Sequence, residues 1–289
     1  GGIPDADAFY VMLAAIEMTK AGSGGVHISL MIHSIGTPPI HHFARPEIRD
    51  EVMPQIIAGE KISALAITEP SGGSDVAAIK TKAVREGDHY ILNGEKTFIT
   101  SGIRADYYTV AVKTDQHAQG AKGISMLLVD AHSKGITKSP LKKMGWWASD
   151  TAHLHFDNVQ VPVSHLLGEE NAGFKVIMNN FNMERFWLAA MAYGYALVCY
   201  EEALDWAKQR QTFGKRLVDH QVVRHKLVDM ATQLTTTRAL LEDTAYRMGQ
   251  KELQGADLIA QISMSKNVAT RTMQFCADAA VQTLGGMGF

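Results

Sequence analysis

The apolar positions along the chain change period twice. Up to residue 62 they recur at helical spacing. "AFYVMLAAIEMTKAG" (residues 8–22) reads as an amphipathic helix closed by a glycine, and "ARPEIRDEVMPQIIAGE" (44–60) as a second with proline near its start. From about residue 64 to 161 the alternation shortens to two. "HYILNGEKTFIT" (89–100) has a hairpin pattern, with Asn93-Gly94 supplying positive φ at its turn. "DYYTVAVKT", "GISMLLVD" and "AHLHFDNVQV" are further strand candidates, divided by turn residues. Helical spacing then returns over 173–210, 217–250 and 255–284. The order α, β, α predicts an α+β multi-domain protein: an N-terminal helical domain over 1–62, a middle β domain over 63–162, and a C-terminal helical bundle over 163–289.

Within the third region, "FNMERFWLAAMAYGYALVC" (181–199) is almost wholly apolar, yet Glu184 falls on the same helical face as Ile177, Phe181, Leu188, Met191 and Tyr195. A carboxylate there must be paired, solvated or protonated. Either it belongs to a buried ion pair, or its pKa is raised for proton transfer. Arg185, about 100° away around the helix, is a poor partner for it.

Composition narrows the functional classes. Of the 289 residues 46% are hydrophobic and 20% charged, and the net charge of -2 gives no field for steering nucleic acid. The longest apolar run, 186–199, would span about 21 Å as a helix, short of a bilayer. No integral membrane segment is expected, and no signal-peptide pattern opens the chain. Cys199 and Cys276 lie in apolar helical patterns, which points to a reducing compartment. The opening Gly-Gly and closing "LGGMGF" read as the ends of a fragment, with the first and last domains incomplete.

Several stretches combine groups suited to a ligand, each with a plainer structural alternative. "LAITEPSGGSD" (65–75) sets Thr68 and Ser74 around Gly72 and Gly73, either as a close-approach loop or as an ordinary turn. "KTFITSG" (96–102) places Phe98 beside Thr100, suited to a stacked ring or to simple packing. "AKQRQTFGKRLVDHQ" (207–221) breaks a helix at Gly214 and gathers Lys208, Arg210, Lys215 and Arg216, either as helix-terminal cations or as a phosphate clamp. His153 and His155 share a strand face, but no third ligand is in view and no metal site is expected. No dinucleotide fingerprint of the G-x-G-x-x-G type and no Walker A sequence occurs.

Together these stretches resemble the acyl-CoA dehydrogenase family of flavoproteins over essentially the whole chain. "ITEPSGGSD" is similar to the family's TEPGAGSD loop, "LNGEKTFITSG" to its LNGxKxWIT strand, "RQTFGK…HQ" to its R-x-x-FG-K…Q segment and "QTLGGMGF" to its Q-x-x-GG-x-G(Y/F) stretch. The resemblance implies a barrel-like middle domain, a C-terminal four-helix bundle, FAD, a homotetramer, an acyl-CoA substrate and an electron-transferring flavoprotein as partner. Carried over by position, it assigns Ile67, Thr68, Ser74, Phe98, Thr100 and Ser101 to the flavin and its ribityl chain. Arg210, Thr212, Phe213 and Gln221 would contact FAD, some from a neighbouring subunit, and Gln282, Gly285 and Gly286 the ADP half of a neighbour's FAD. Ser74 and Arg185 are assigned to substrate. Phe98 departs from the family's tryptophan.

"FNMERFWLA" resembles the L-x-x-E-R context of the isovaleryl and long-chain branches, where the helix carries the catalytic base. This assigns Glu184 as base. In other members the base lies on a closing loop beyond the residues present here. Two alternatives share the fold: an acyl-CoA oxidase or flavin monooxygenase, and a catalytically silent scaffold relative. The compartment expected is the bacterial cytoplasm, with the mitochondrial matrix as the alternative.

Overall fold

A computed structural model describes residues 6–252 and 254–289; the opening Gly-Gly lies outside them. By contacts the chain divides into two compact units, one formed by residues up to Ser23 together with Asn182–Phe289, the other by Gly24–Phe181.

The helical N-terminal region is built from five short helices: α1 (Ala8–Thr19), α2 (Gly24–Met31), α3 (His33–Gly36), α4 (Pro38–Phe43) and α5 (Pro46–Ile57). Asp7 caps α1, its carboxylate accepting from the Phe9 and Tyr10 amides. Pro46 opens α5, where its missing N–H costs nothing.

Eight strands follow: β1 (Ser63–Ala66), β2 (Lys82–Glu86), β3 (His89–Thr100), β4 (Tyr107–Lys113), β5 (Ile124–Asp130), β6 (Ile136–Pro140), β7 (Thr151–Pro162) and β8 (Leu166–Leu167). They form one sheet in the order β6-β7-β3-β2-β4-β5-β8, with β1 parallel to β4. The path is open, since β6 and β8 do not pair among the described residues, and β2 meets β4 at the single pair Lys82–Lys113. Both faces of the central strands are covered. Tyr108, Val110, Leu127 and Val129 join one core with β3 and β7, whereas Ala111, Ile124, Met126 and Leu128 join another with α4, α5 and the first turns of α6. Burial on both faces is why β5 reads as a continuous apolar run.

Asn93-Gly94 is not a hairpin. β3 runs through it as one twelve-residue strand, and the pairing with β7 shifts register between Leu92 and Gly94. Gly94, at φ 145°, lies so close to Thr81 that a Cβ would come within 2.6 Å of its Oγ1. The glycine therefore serves a bulge, and the real β2–β3 turn is at Gly87-Asp88. β2 and β6 have no counterpart in the sequence reading, because "KAVRE" and "ITKSP" are mostly exposed and lack an apolar alternation.

Three long helices complete the chain: α6 (Gly173–Gln209), α7 (Gln221–Gly249) and α8 (Gly255–Leu284), close to the spans the periodicity predicts. Between α6 and α7 lie two-residue strands β9 (Gln211–Thr212) and β10 (Lys215–Arg216). In the helical unit α1 packs on α7, and α6 passes α1 at Gly194, where a Cβ would meet Thr19 Oγ1 at 2.6 Å and Ile16 Cα at 3.1 Å. The fourth helix of this unit thus comes from the other end of the sequence. α7 and α8 run antiparallel along a seam of hydroxyls. Thr237 and Thr272 share a hydrogen bond at 2.8 Å and Thr244 and Ser265 another at 2.9 Å, while Gln261 Nε2 donates to Thr244 Oγ1 at 3.1 Å.

Candidate active site

Glu184 lies at the end of the first third of α6, on a face whose other members are apolar. Its Oε2 is buried and has no hydrogen-bond partner among the described residues. Burial pushes the carboxyl up from its ordinary 4.5 to about 7, against a weaker downward pull from the Arg185 charge. Arg185 Nη1 donates to Asn182 Oδ1 at 3.5 Å. An acid with a pKa near 7 and an unsatisfied oxygen exchanges a proton readily at neutral pH, which is the property a general base needs.

The β unit brings together the two segments flagged there. Thr97 N donates to Thr68 O at 2.8 Å, so residues 67–69 lie alongside the end of β3. Glu69 and Gly72 exchange two backbone hydrogen bonds of 3.0 Å, closing a tight turn before Gly73 and Ser74. Ile67 is buried, Thr68 half-buried and Ser74 exposed. On β3 the register slips again between Lys96 and Ile99, with Phe98 and Ser101 both at φ 59°. Two non-glycine residues held there store strain of about 1–3 kcal/mol each. The result is an exposed Phe98 ring (69% accessible) on the outer face beside a half-buried Thr100, while Ser101 is buried and its N–H donates to Asp150 O at 3.0 Å. Thr100 lines a cleft of about 300 Å³ with Lys143, Gly145, Trp146, Ser149 and Thr151.

The helical unit brings together the other two segments. A cleft of about 460 Å³ is lined by Trp206, Arg210, Thr212 and Leu217 on one side and Thr283–Met287 on the other. Arg210 is exposed and has no carboxylate partner among the described residues. Gly285 (φ 63°) and Gly286 leave the opposite wall as bare backbone, with nothing within 4 Å of where a Cβ would stand. Phe213 (φ 52°) projects at the β9–β10 tip, almost fully exposed. Gln221 and Gln282 are exposed nearby in sequence but do not line the cleft.

Three domain models of one family cover nearly the entire chain: acyl-CoA dehydrogenase N-terminal domain over residues 1–60, middle domain over 64–159 and C-terminal domain over 171–289. The chain belongs to the acyl-CoA dehydrogenase family. It is 37% identical to acyl-CoA dehydrogenase AFT10-1 of Alternaria alternata over 98% of its own length, and it spans 66% of that relative. Among solved structures it is similar to a probable acyl-CoA dehydrogenase from Mycobacterium abscessus (42% identity, TM-score 0.92, 97% of this chain and 74% of that one). It is also similar to a glutaryl-CoA dehydrogenase from Mycobacterium smegmatis in complex with FADH2 (30%, 0.90, 98% and 71%). No helix among the described residues is long and apolar enough to cross a membrane.

Other residues of this acyl-CoA dehydrogenase family member shape the candidate site without having been singled out from sequence. Lys143 Nζ donates to the carbonyls of Trp146 and Ser149 and so folds the loop that walls the β-unit cleft. Asp150 clamps the turn after β3, accepting from Ile103 N at 2.8 Å and Arg104 Nε at 2.6 Å. Lys96 and Glu69 form a buried ion pair behind the Thr68 and Phe98 segments. A signal for Lys96 existed: it continues the inward phase of Tyr90 and Leu92 along β3. His153 and His155 both face Glu95, at 3.7 and 3.6 Å.

Proposed function

We propose that the chain catalyses FAD-dependent α,β-dehydrogenation of an acyl-CoA thioester to the trans-2-enoyl-CoA, with Glu184 as the base that takes the α-proton. The observation that carries this reading is the buried, unpartnered Glu184 Oε2, whose pKa is raised to about 7 by desolvation. Such a carboxyl is ionised often enough at neutral pH to accept a proton, and basic enough to hold it.

The residues fit the cofactor. A flavin ring needs an apolar surface with hydroxyls beside it, and the strained end of β3 offers the Phe98 ring, Thr100 and, across the paired segment, Thr68. A diphosphate needs a cation and approachable backbone, and the helical cleft offers Arg210 opposite Gly285 and Gly286. In this reading Ile67, Thr68, Ser74, Phe98, Thr100 and Ser101 hold the ring and ribityl chain. Arg210, Thr212, Phe213, Gln221, Gln282, Gly285 and Gly286 hold the remainder of an FAD, in part a neighbour's. When bound, FAD supplies the acceptor for the β-hydride. Ser74 and Arg185 are assigned to the acyl-CoA. The partners are an electron-transferring flavoprotein and further copies of the chain in a homotetramer. Both cysteines are free thiols, which supports a reducing compartment.

The test is Glu184→Gln. The variant should bind FAD as the parent does, yet reduction of the flavin by acyl-CoA should slow by roughly 10²–10⁴-fold. Near-normal bleaching would remove Glu184 from the role of base. Rapid peroxide formation by the parent protein would move the reaction to an oxidase.

A further inference from the structure

The buried ion pair between Glu69 and Lys96 takes no part in the proton transfer above, and its surroundings assign it another task. Lys96 is wholly inaccessible and Glu69 only 5% exposed. Lys96 Nζ donates to Glu69 Oε1 at 2.8 Å and to Ile67 O at 2.9 Å. Glu69 is saturated further, Oε1 accepting from Thr81 N at 2.9 Å and Oε2 from Lys80 N at 2.6 Å. Burial alone would raise Glu69, but Lys96 and these hydrogen bonds outweigh it and hold the carboxyl ionised below its ordinary range. Two charges withdrawn from water add little net stability over an apolar pair of equal volume, so stability is a weak reason for them.

Geometry supplies a stronger one. The pair joins the segment after β1 to the middle of β3, and the segments flagged for the flavin begin within two residues of it. On one arm Thr68 precedes Glu69, whose turn with Gly72 leads to Ser74. On the other, Thr97 N bonds Thr68 O, and Phe98 follows at φ 59° inside the register slip. Main chain held in that conformation needs surroundings that over-determine it. The pair and its four hydrogen bonds supply them from behind.

We propose that Glu69 and Lys96 are positioning residues that lock segments 67–74 and 97–101 into one rigid cradle for the flavin. The lock itself is a property of the protein alone, whereas its purpose rests on the FAD reading above.

The experiment compares the parent with Glu69→Gln/Lys96→Met, which removes both charges at similar volume. Val129→Ala, a core change on β5, serves as a destabilised control. Hydrogen exchange on the FAD-free proteins should show 67–74 and 97–101 accelerating together, at least about tenfold, in the double variant, with β5 as protected as in the parent. On adding FAD, the double variant should bind at least about tenfold more weakly and lose the visible circular dichroism of bound flavin. Val129→Ala should lower Tm and leave FAD affinity and that spectrum in place. Unchanged exchange in the two segments, or loosening of the β unit as a whole, overturns the lock. Unchanged affinity and spectrum with loosened segments overturn its purpose. Where the double variant fails to fold, Glu69→Asp, which keeps the charge and shortens its reach by one carbon, is read the same way: loosening confined to both segments supports the lock and no change refutes it. A parent protein that does not bind FAD removes the functional reading, while the exchange measurement still decides the lock.

Discussion

At the residue scale, the raised pKa of Glu184 predicts one part of how stability and, in the proposed function, activity respond to pH. Its pKa is raised, so below about 4.5 folded and unfolded chains both hold the proton and the residue is neutral in the balance. Between about 4.5 and 7 the unfolded chain ionises first, and rising pH destabilises the fold. Above 7 both forms are ionised and the penalty is constant, about 3 kcal/mol at most. Glu184→Gln should therefore flatten this part of the stability–pH curve and gain on the parent above pH 7, as read by urea denaturation across pH 4–8. A parallel slope in both proteins would mean Glu184 is well solvated. The same carboxyl predicts that kcat/KM rises with pH through an apparent pKa near 7. Glu184 was legible in the sequence because one acid interrupts an otherwise apolar face. The Glu69–Lys96 pair was not, because its partners lie on different strands and only the fold brings them together.

At the element scale, the three long helices were legible within a few residues, since α7 and α8 each keep one buried stripe over many turns and α6 carries a long apolar run that is buried on nearly every side over 186–196. β3 misled in a specific way. Asn-Gly favours positive φ whether the chain turns or bulges, and the choice depends on whether Thr81 and β7 crowd the glycine. The seam between α7 and α8 was also hidden, because threonine and serine on a helix read as surface. Among the described residues, Thr237 and Thr272 satisfy each other across it. Thr237→Val alone should cost about 1–3 kcal/mol by stranding the Thr272 hydroxyl, while Thr237→Val/Thr272→Val should recover most of that loss. Equal and additive losses in chemical denaturation would show that the two hydroxyls are not coupled.

At the scale of the whole molecule, the α, β, α order and the near balance of charge were plain from composition and spacing. That α1 joins the helical unit was not, because nothing local to residues 8–19 says which distant helix will cover them. The two sets of residues proposed to hold the cofactor lie in separate units, and the proposed function gives some of the helical set to a neighbour's FAD. FAD affinity should then rise by about tenfold or more over the protein concentrations at which sedimentation shows the tetramer assembling. A dissociation constant that stays level through that assembly would confine each FAD to one chain.

The hydroxyl seam also acts as a ruler. Thr237–Thr272 and Thr244–Ser265 share one antiparallel register, which sets Gln221, at the start of α7, level with the Gly285–Gly288 turn after α8. A slide of one residue is about 1.5 Å, more than a hydroxyl bond can absorb, so both rungs would break together. The place of Gly285 beside the start of α7 is thus set by rungs about 20 and 30 Å along α8 from it, at residues that do not line the cleft.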